Sequence, residues 1–142
     1  MNVQGMDFPD DLHYEVEHQV WARPHGDGTA TVGITALGIR LAGEIYMCRP
    51  KAVGTPVAQG QGIAVVELAK SIVAVKCPVS GEVLETNPRL TNTPELVHLE
   101  PYGAGWLARL RLADWPADAR GLLQGDAVAE AMAHCAWLNR VE

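Results

Sequence analysis

Lysine is scarce in this chain. Of 142 residues only three are lysines, Lys51, Lys70 and Lys76, and acids outnumber Lys and Arg by 17 to 11, for a formal net charge of −6. Without a basic patch to neutralise a run of phosphates, a nucleic-acid partner is excluded; the acidic balance favours solubility and docking onto basic patches of partner proteins. Cysteine is sparse too: Cys48, Cys77 and Cys135 are odd in number and form no C-x-x-C pair, which argues against a disulfide framework and fits a reducing cytoplasm. No stretch approaches the roughly 20 apolar residues of a membrane helix. Met1 to Leu12 contains Asp7, Asp10 and Asp11 and no apolar run, so it does not read as a signal peptide. The sequence shows no Ser/His/Asp nucleophile signature and no phosphate loop. Its five histidines, His13, His18, His25, His98 and His134, are too scattered to suggest converging metal ligands, and read as surface or satisfied residues.

What is present is ordinary globular material, 48% hydrophobic and 20% charged, long enough for one domain over 1–142 with one core. Gly26-Asp27-Gly28 separates two strand-like segments, Gln19 to Arg23 and Thr29 to Ile34, a hairpin signal. Glu44 to Cys48, Ile63 to Leu68, Ile72 to Cys77 and Glu82 to Thr86 read as further strands, divided by turns rich in Gly and Pro. Trp106 to Leu112 alternates, with Trp106, Ala108, Leu110 and Leu112 expected on one face. Ala36 to Leu41 leaves room for a short helix. The tail changes character: Ala113 to Leu123 and Ala127 to Leu138 are rich in Ala and Leu, Asp114 and Asp126 stand where N-caps are wanted, and Val128, Met132 and Cys135 recur at helical spacing. Many short strands with Gly/Pro turns predict a small sandwich or barrel.

A lysine is ordinarily a solvated surface charge, and Lys51 and Lys76 read that way, in a loop and a strand. Lys70 has a different context. It lies between two apolar, β-branched runs joined by a short link, which pair as a hairpin with the link at the tip. An amine there projects away from the body, within reach of a modifying enzyme.

Val65-Val66-Glu67-Leu68-Ala69-Lys70, followed by Cys77-Pro78-Val79-Ser80-Gly81-Glu82-Val83, resembles the lipoylation segment of the glycine cleavage H-protein family, in which a Glu stands three residues before the lipoyl-lysine and a Pro-x-Ser-Gly begins eight residues after it. Gly26 to Thr35, Gly43-Glu44-Ile45, Pro94 to Val97 and Pro101-Tyr102-Gly103-Ala104-Gly105-Trp106-Leu107 resemble further family segments in the same order, so the likeness covers roughly residues 13 to 138. It implies a mainly β fold, the lipoyl-domain hybrid of barrel and sandwich, with a short helix in the N-terminal half and a helix at the C-terminus. It implies a carrier rather than an enzyme, with covalent lipoate on Lys70 and Glu67 recognised by the lipoate-attaching enzyme. Biotin is rejected, since a biotin carrier usually shows Met on both sides of its lysine and Lys70 has Ala69 and Ser71. Dihydrolipoamide dehydrogenase is the expected partner for reoxidation, and a carrier that exposes its arm to several enzymes is expected to be a monomer when free.

The likeness breaks at two carboxylates. The family has a Glu just before the N-terminal Trp and an Asp four residues after the lipoyl-lysine; here these places hold Val20, before Trp21, and Ala74. A sheltered aminomethyl cation without a carboxylate costs several kcal/mol. Either another acid substitutes, Glu15 or Glu17, with a register one residue longer than usual between Tyr14 and Trp21, or the cargo has changed. The sequence reading puts first a sulfur-bound cargo beside a heterodisulfide-reductase-like complex, second the glycine cleavage enzymes, and third an unmodified binding module that keeps only the fold. Cys77, in the strand leaving the hairpin, reads as buried and inert or as facing the arm; Trp21 and Trp106 read as packing residues.

Overall fold

A computed structural model describes residues 1–140. A hairpin of β1 (Asn2–Val3) and β2 (Met6–Asp7) leads into β3 (His13–Glu15), β4 (Val20–Pro24) and β5 (Thr29–Ile34), then helix α1 (Ala36–Ala42). Next come β6 (Met47–Pro50), β7 (Pro56–Val57), β8 (Gly62–Glu67), β9 (Ile72–Lys76) and β10 (Gly81–Thr86). After the short helix α2 (Leu96–Leu99) follow β11 (Ala108–Leu112), α3 (Trp115–Ala119) and α4 (Asp126–Leu138). Six strands pair in the order β3-β4-β5-β11-β10-β7, and three in the order β6-β8-β9.

The two larger sheets face each other across the main core, where Val20, Ala22, Val32, Val83 and Leu110 of one meet Cys48, Ala64, Val66 and Val75 of the other. Because successive strand residues point to opposite faces, β4 also serves a second core behind the six-stranded sheet. Trp21, fully buried, lies there with Phe8, Leu12, Tyr14, Leu37, and Val128, Met132 and Ala136 of α4. Trp21 pairs with Gly33 on β5, and a Cβ on residue 33 would sit 2.5 Å from the indole; glycine is what lets the ring lie across the neighbouring strand. The N-terminal hairpin seals this second core with Val3 and Met6, although its sequence carries no apolar run.

The mainly β expectation, the short helix and the C-terminal helix are all found. Thr35 caps α1, its Oγ accepting from the Gly38 N–H at 3.0 Å. Several boundaries differ for identifiable reasons. Asp114 does cap α3, accepting from the Ala117 N–H, but α3 ends at Ala119 because Leu123 is drawn into backbone bonds with Tyr14, 2.8 Å in each direction. Asp126 is not an N-cap; Gly125, with φ of 76°, takes that place and Asp126 opens the helix. The α4 stripe buries Ala136 rather than Cys135, which is half-buried. Trp106 precedes β11 and packs on the second core, so it does not share the face of Ala108 and Leu110. The strand expected at Glu44 to Cys48 starts at Met47, because residues 43–46 are held from the side.

The extra residue between Tyr14 and Trp21 is absorbed in the β3–β4 turn. Tyr14 pairs with Trp21 and Glu15 with Val20, while Gln19 takes a left-handed φ of 57°. Its buried amide donates to the Val16 carbonyl and accepts from the Thr35 hydroxyl at 2.6 Å, tying the turn to the start of α1.

Candidate functional site at a hairpin tip

β8 and β9 form the hairpin expected around Lys70. Glu67 pairs with Ile72, Val66 with Val73, Val65 with Ala74 and Ala64 with Val75, and the Leu68 N–H donates to the Ser71 carbonyl at 2.8 Å. Ala69 and Lys70 are therefore the two residues of the tip. Neither adopts a positive φ, so the turn needs no glycine and a long side chain is sterically acceptable. Both are exposed, and among the described residues Lys70 makes no hydrogen bond or ion pair. Lys76 is half-buried at the foot of β9, and the Lys51 backbone is bonded to Ile63. Of the three lysines, only Lys70 stands at the end of a lever.

The inner face of the hairpin anchors it. Ala64, Val66 and Val75 enter the main core, and Cys48 on β6 pairs with Val66. The outer face carries Glu67 between Met47 and Ile72 in one cross-strand row, and Val65 between Arg49 and Ala74 in the next. The Glu67 carboxylate is exposed and has no partner among the described residues. Ile72 is 66% exposed and Tyr46 51%, so the lever has apolar flanks.

Pro78 to Gly81 prove to be the clamp on the strand leaving the hairpin. The Ser80 N–H donates to Asp118 Oδ2 at 2.7 Å, and Gln59 Nε2 donates to the carbonyls of Pro78 and Asp118. A Cβ on residue 81 would overlap the Arg111 carbonyl oxygen, which explains glycine there. Asp118 and Gln59 are missed by sequence reasoning: an acid in an Ala-rich helix and a glutamine in a turn give no signal of the partners they find.

The cysteines are settled by burial. Cys48 and Cys77 lie in the main core, and burial pushes both thiols up to about 12. Cys77 therefore does not face the arm. At pH 8 both stay protonated as well as covered, and the thiolate is the reactive form. Iodoacetamide is expected to add once to the native chain, at half-buried Cys135, and three times in denaturant, as read by intact mass. Labelling of Cys77 in the native state would contradict this assignment.

Of the histidines, His13 packs edge-on to Trp115 and burial lowers its pKa. His18 meets Glu15 at 2.7 Å, and with Glu17 these bring ligand atoms within 4.8 Å of one another at the surface. Glu15 is thus engaged within its own turn. Val20 is buried in the main core and Ala74 is exposed on the hairpin. No helix of the described residues is long and apolar enough to cross a membrane.

The two-sheet shell thus anchors a hairpin whose tip presents the Lys70 amine, which among the described residues makes no hydrogen bond or ion pair. Comparison with known proteins defines the lineage. The family described as "Glycine cleavage H-protein" matches residues 12–135. The chain is 44% identical over 120 residues to the glycine cleavage system H protein of Laribacter hongkongensis, covering 84% of this chain and 93% of that protein. It is 39% identical over 123 residues to glycine cleavage system H protein 2 of Aquifex aeolicus, covering 87% and 76%. The crystal structure of a glycine cleavage system H protein from Mycobacterium marinum superposes with a TM-score of 0.71 at 26% identity, covering 94% of this chain and 99% of that one. The chain belongs to the glycine cleavage H-protein family. It is a lipoyl carrier, its cofactor is lipoate, and it is not itself a catalyst.

Proposed function

We propose that Lys70 bears the lipoyl group and that the chain is the carrier of a glycine cleavage system, moving an aminomethyl cargo between the system's enzymes. The observation that carries this reading is the exposed Lys70 amine, without a partner among the described residues, on a two-residue tip whose base is locked into the core. Lipoate supplies a dithiolane that opens to nucleophilic, redox-active thiols. The chain supplies position and surface: Ala64, Val66 and Val75 hold the lever, and Glu67, exposed on the outer face, is the residue that the lipoate-attaching enzyme reads. Dihydrolipoamide dehydrogenase restores the disulfide. The free carrier is a cytoplasmic monomer. The lipoylated chain, added to glycine decarboxylase and glycine, is expected to stimulate carbon dioxide release in proportion to its concentration; absence of stimulation overturns the glycine reading.

A second reading keeps the arm and changes the cargo to a sulfur species handed to a heterodisulfide-reductase-like complex. Two observations favour it. Val20 is packed in the main core, and Ala74 shares its cross-strand row with Arg49 rather than with a carboxylate, so neither of these two positions offers an aminomethyl cation a counter-charge, and Glu67 is the carboxylate that the hairpin's outer face carries. In the same assay this reading expects no stimulation by glycine, with turnover only when the sulfur-oxidising complex replaces the decarboxylase.

A further inference from the structure

We propose that His98 is a positioning residue for the arm, acting through Ile45 and Tyr46 on the strand that flanks Glu67; the inference rests on reading Lys70 as the attachment point. His98 lies on α2, and its Nε2 accepts the Ile45 N–H at 3.0 Å. An acceptor at Nε2 places the ring proton on Nδ1 and leaves the imidazole uncharged. The Ile45 side chain is buried in the main core, so this bond fixes the chain at one depth. The next residue completes the relay: the Tyr46 N–H donates to the Glu67 carbonyl at 2.8 Å, and Met47 opens the ladder opposite Glu67. Three consecutive links thus run from α2 to a residue three positions before Lys70. Among the described residues, the His98 bond is the only hydrogen bond between segment 43–46 and α2.

The link depends on the ring keeping Nε2 free of a proton. His98 borders a groove of about 900 Å³ between α1 and α2. The ionisable groups that share it are Asp7 from β2, Arg40 of α1, Glu44 after α1, Glu95 and Glu100 flanking α2, and Tyr102. Four of these are carboxylates and one is a guanidinium. A second ring proton turns Nε2 from acceptor to donor, facing a backbone donor, and the Ile45 N–H loses its partner. Protonation of the ring therefore removes the acceptor that holds the segment supporting Glu67.

His98→Gln and His98→Leu separate this role from general packing, since a glutamine amide oxygen can stand where Nε2 stands and does not titrate. In the unmodified protein at pH 7.5, H98L is expected to speed amide hydrogen exchange at Ile45 and Tyr46 roughly tenfold, the scale of one buried donor left unpaired. It is expected to slow lipoyl transfer to Lys70 by a similar factor, while H98Q stays near wild type in both. Between pH 8 and 5.5, protection at Ile45, corrected for intrinsic exchange, is expected to fall in wild type and hold in H98Q. Unchanged protection in H98L, or a pH profile shared by wild type and H98Q, overturns the proposal. So does altered exchange with an unaltered rate of lipoyl transfer. If H98L fails to fold, the pH comparison of wild type with H98Q decides. Wild type that takes no lipoyl group at Lys70 sinks the attachment reading instead, and the exchange measurements still decide whether His98 holds the segment.

Discussion

Replacing Lys70 by arginine is expected to leave the chain at its starting mass after incubation with a lipoyl ligase, while wild type gains one lipoyl group. The loss should be complete, because no second lysine has the required geometry. Lys76 is half-buried on β9 beneath the tip, and Lys51 lies in the loop after β6. Arginine keeps the positive charge and the length of the side chain, yet its guanidinium, protonated throughout the accessible pH range, is not an acylation nucleophile. The turn itself should be unaffected, since among the described residues the Lys70 side chain holds no bond that arginine would break, and its φ is not left-handed. A lipoyl adduct on K70R, mapped by peptide mass to Lys51 or Lys76, would end the assignment. Urea unfolding of K70R is expected to overlay wild type, which separates loss of the amine from loss of the fold.

The largest effect on stability is expected at Trp21. Its side chain is fully buried in the second core, and its Nε1 donates to the carbonyls of Ile34 and Pro101, each at 3.1 Å. Trp21→Ala removes the packing and leaves two carbonyls short of a donor. Such truncations cost about 3–5 kcal/mol, a large share of the roughly 5–15 kcal/mol that holds a typical domain together. With a urea dependence of about 2 kcal/mol per molar, the unfolding midpoint should fall by roughly 2 M. Gly33 cannot refill the space from across the strand, because it has no side chain to move. A midpoint within a few tenths molar of wild type would show that the second core is not a stabilising element.

The parts of this molecule that were legible in the sequence are those governed by local rules. Apolar runs between turn signals mark β5, β8, β9 and β10, alternation marks β11, and Asp114 announces its helix. The hairpin that puts Lys70 at its tip is legible because two apolar runs joined by a short link pair locally. The errors lie where distant groups decide. The strand near Glu44 shifted because His98, over fifty residues later, holds Ile45. The helix after Asp114 shortened because Leu123 was claimed by Tyr14. Gln19, expected to open a strand, stands instead in the turn before it as a buried bridge, its Oε1 bonded to Thr35. Pro78 to Gly81 were read as part of a modification signal, and their contacts with Asp118 and Gln59 make them the lever's anchor. The order of the cargo readings rested on two missing carboxylates. The relatives reported above all bear the glycine cleavage name, and that puts the glycine reading first.

The small hairpin at the beginning of the chain gives the inherited segment and the physical object different limits. Similarity to the family starts at residue 12, but Val3, Met6 and Phe8 belong to the same apolar cluster as Trp21 and Met132. A version trimmed to the matched span, residues 12–135, would strip these three side chains from the cluster and cut α4 short of the buried Ala136, so ancestry is a poor guide to where this chain can be cut.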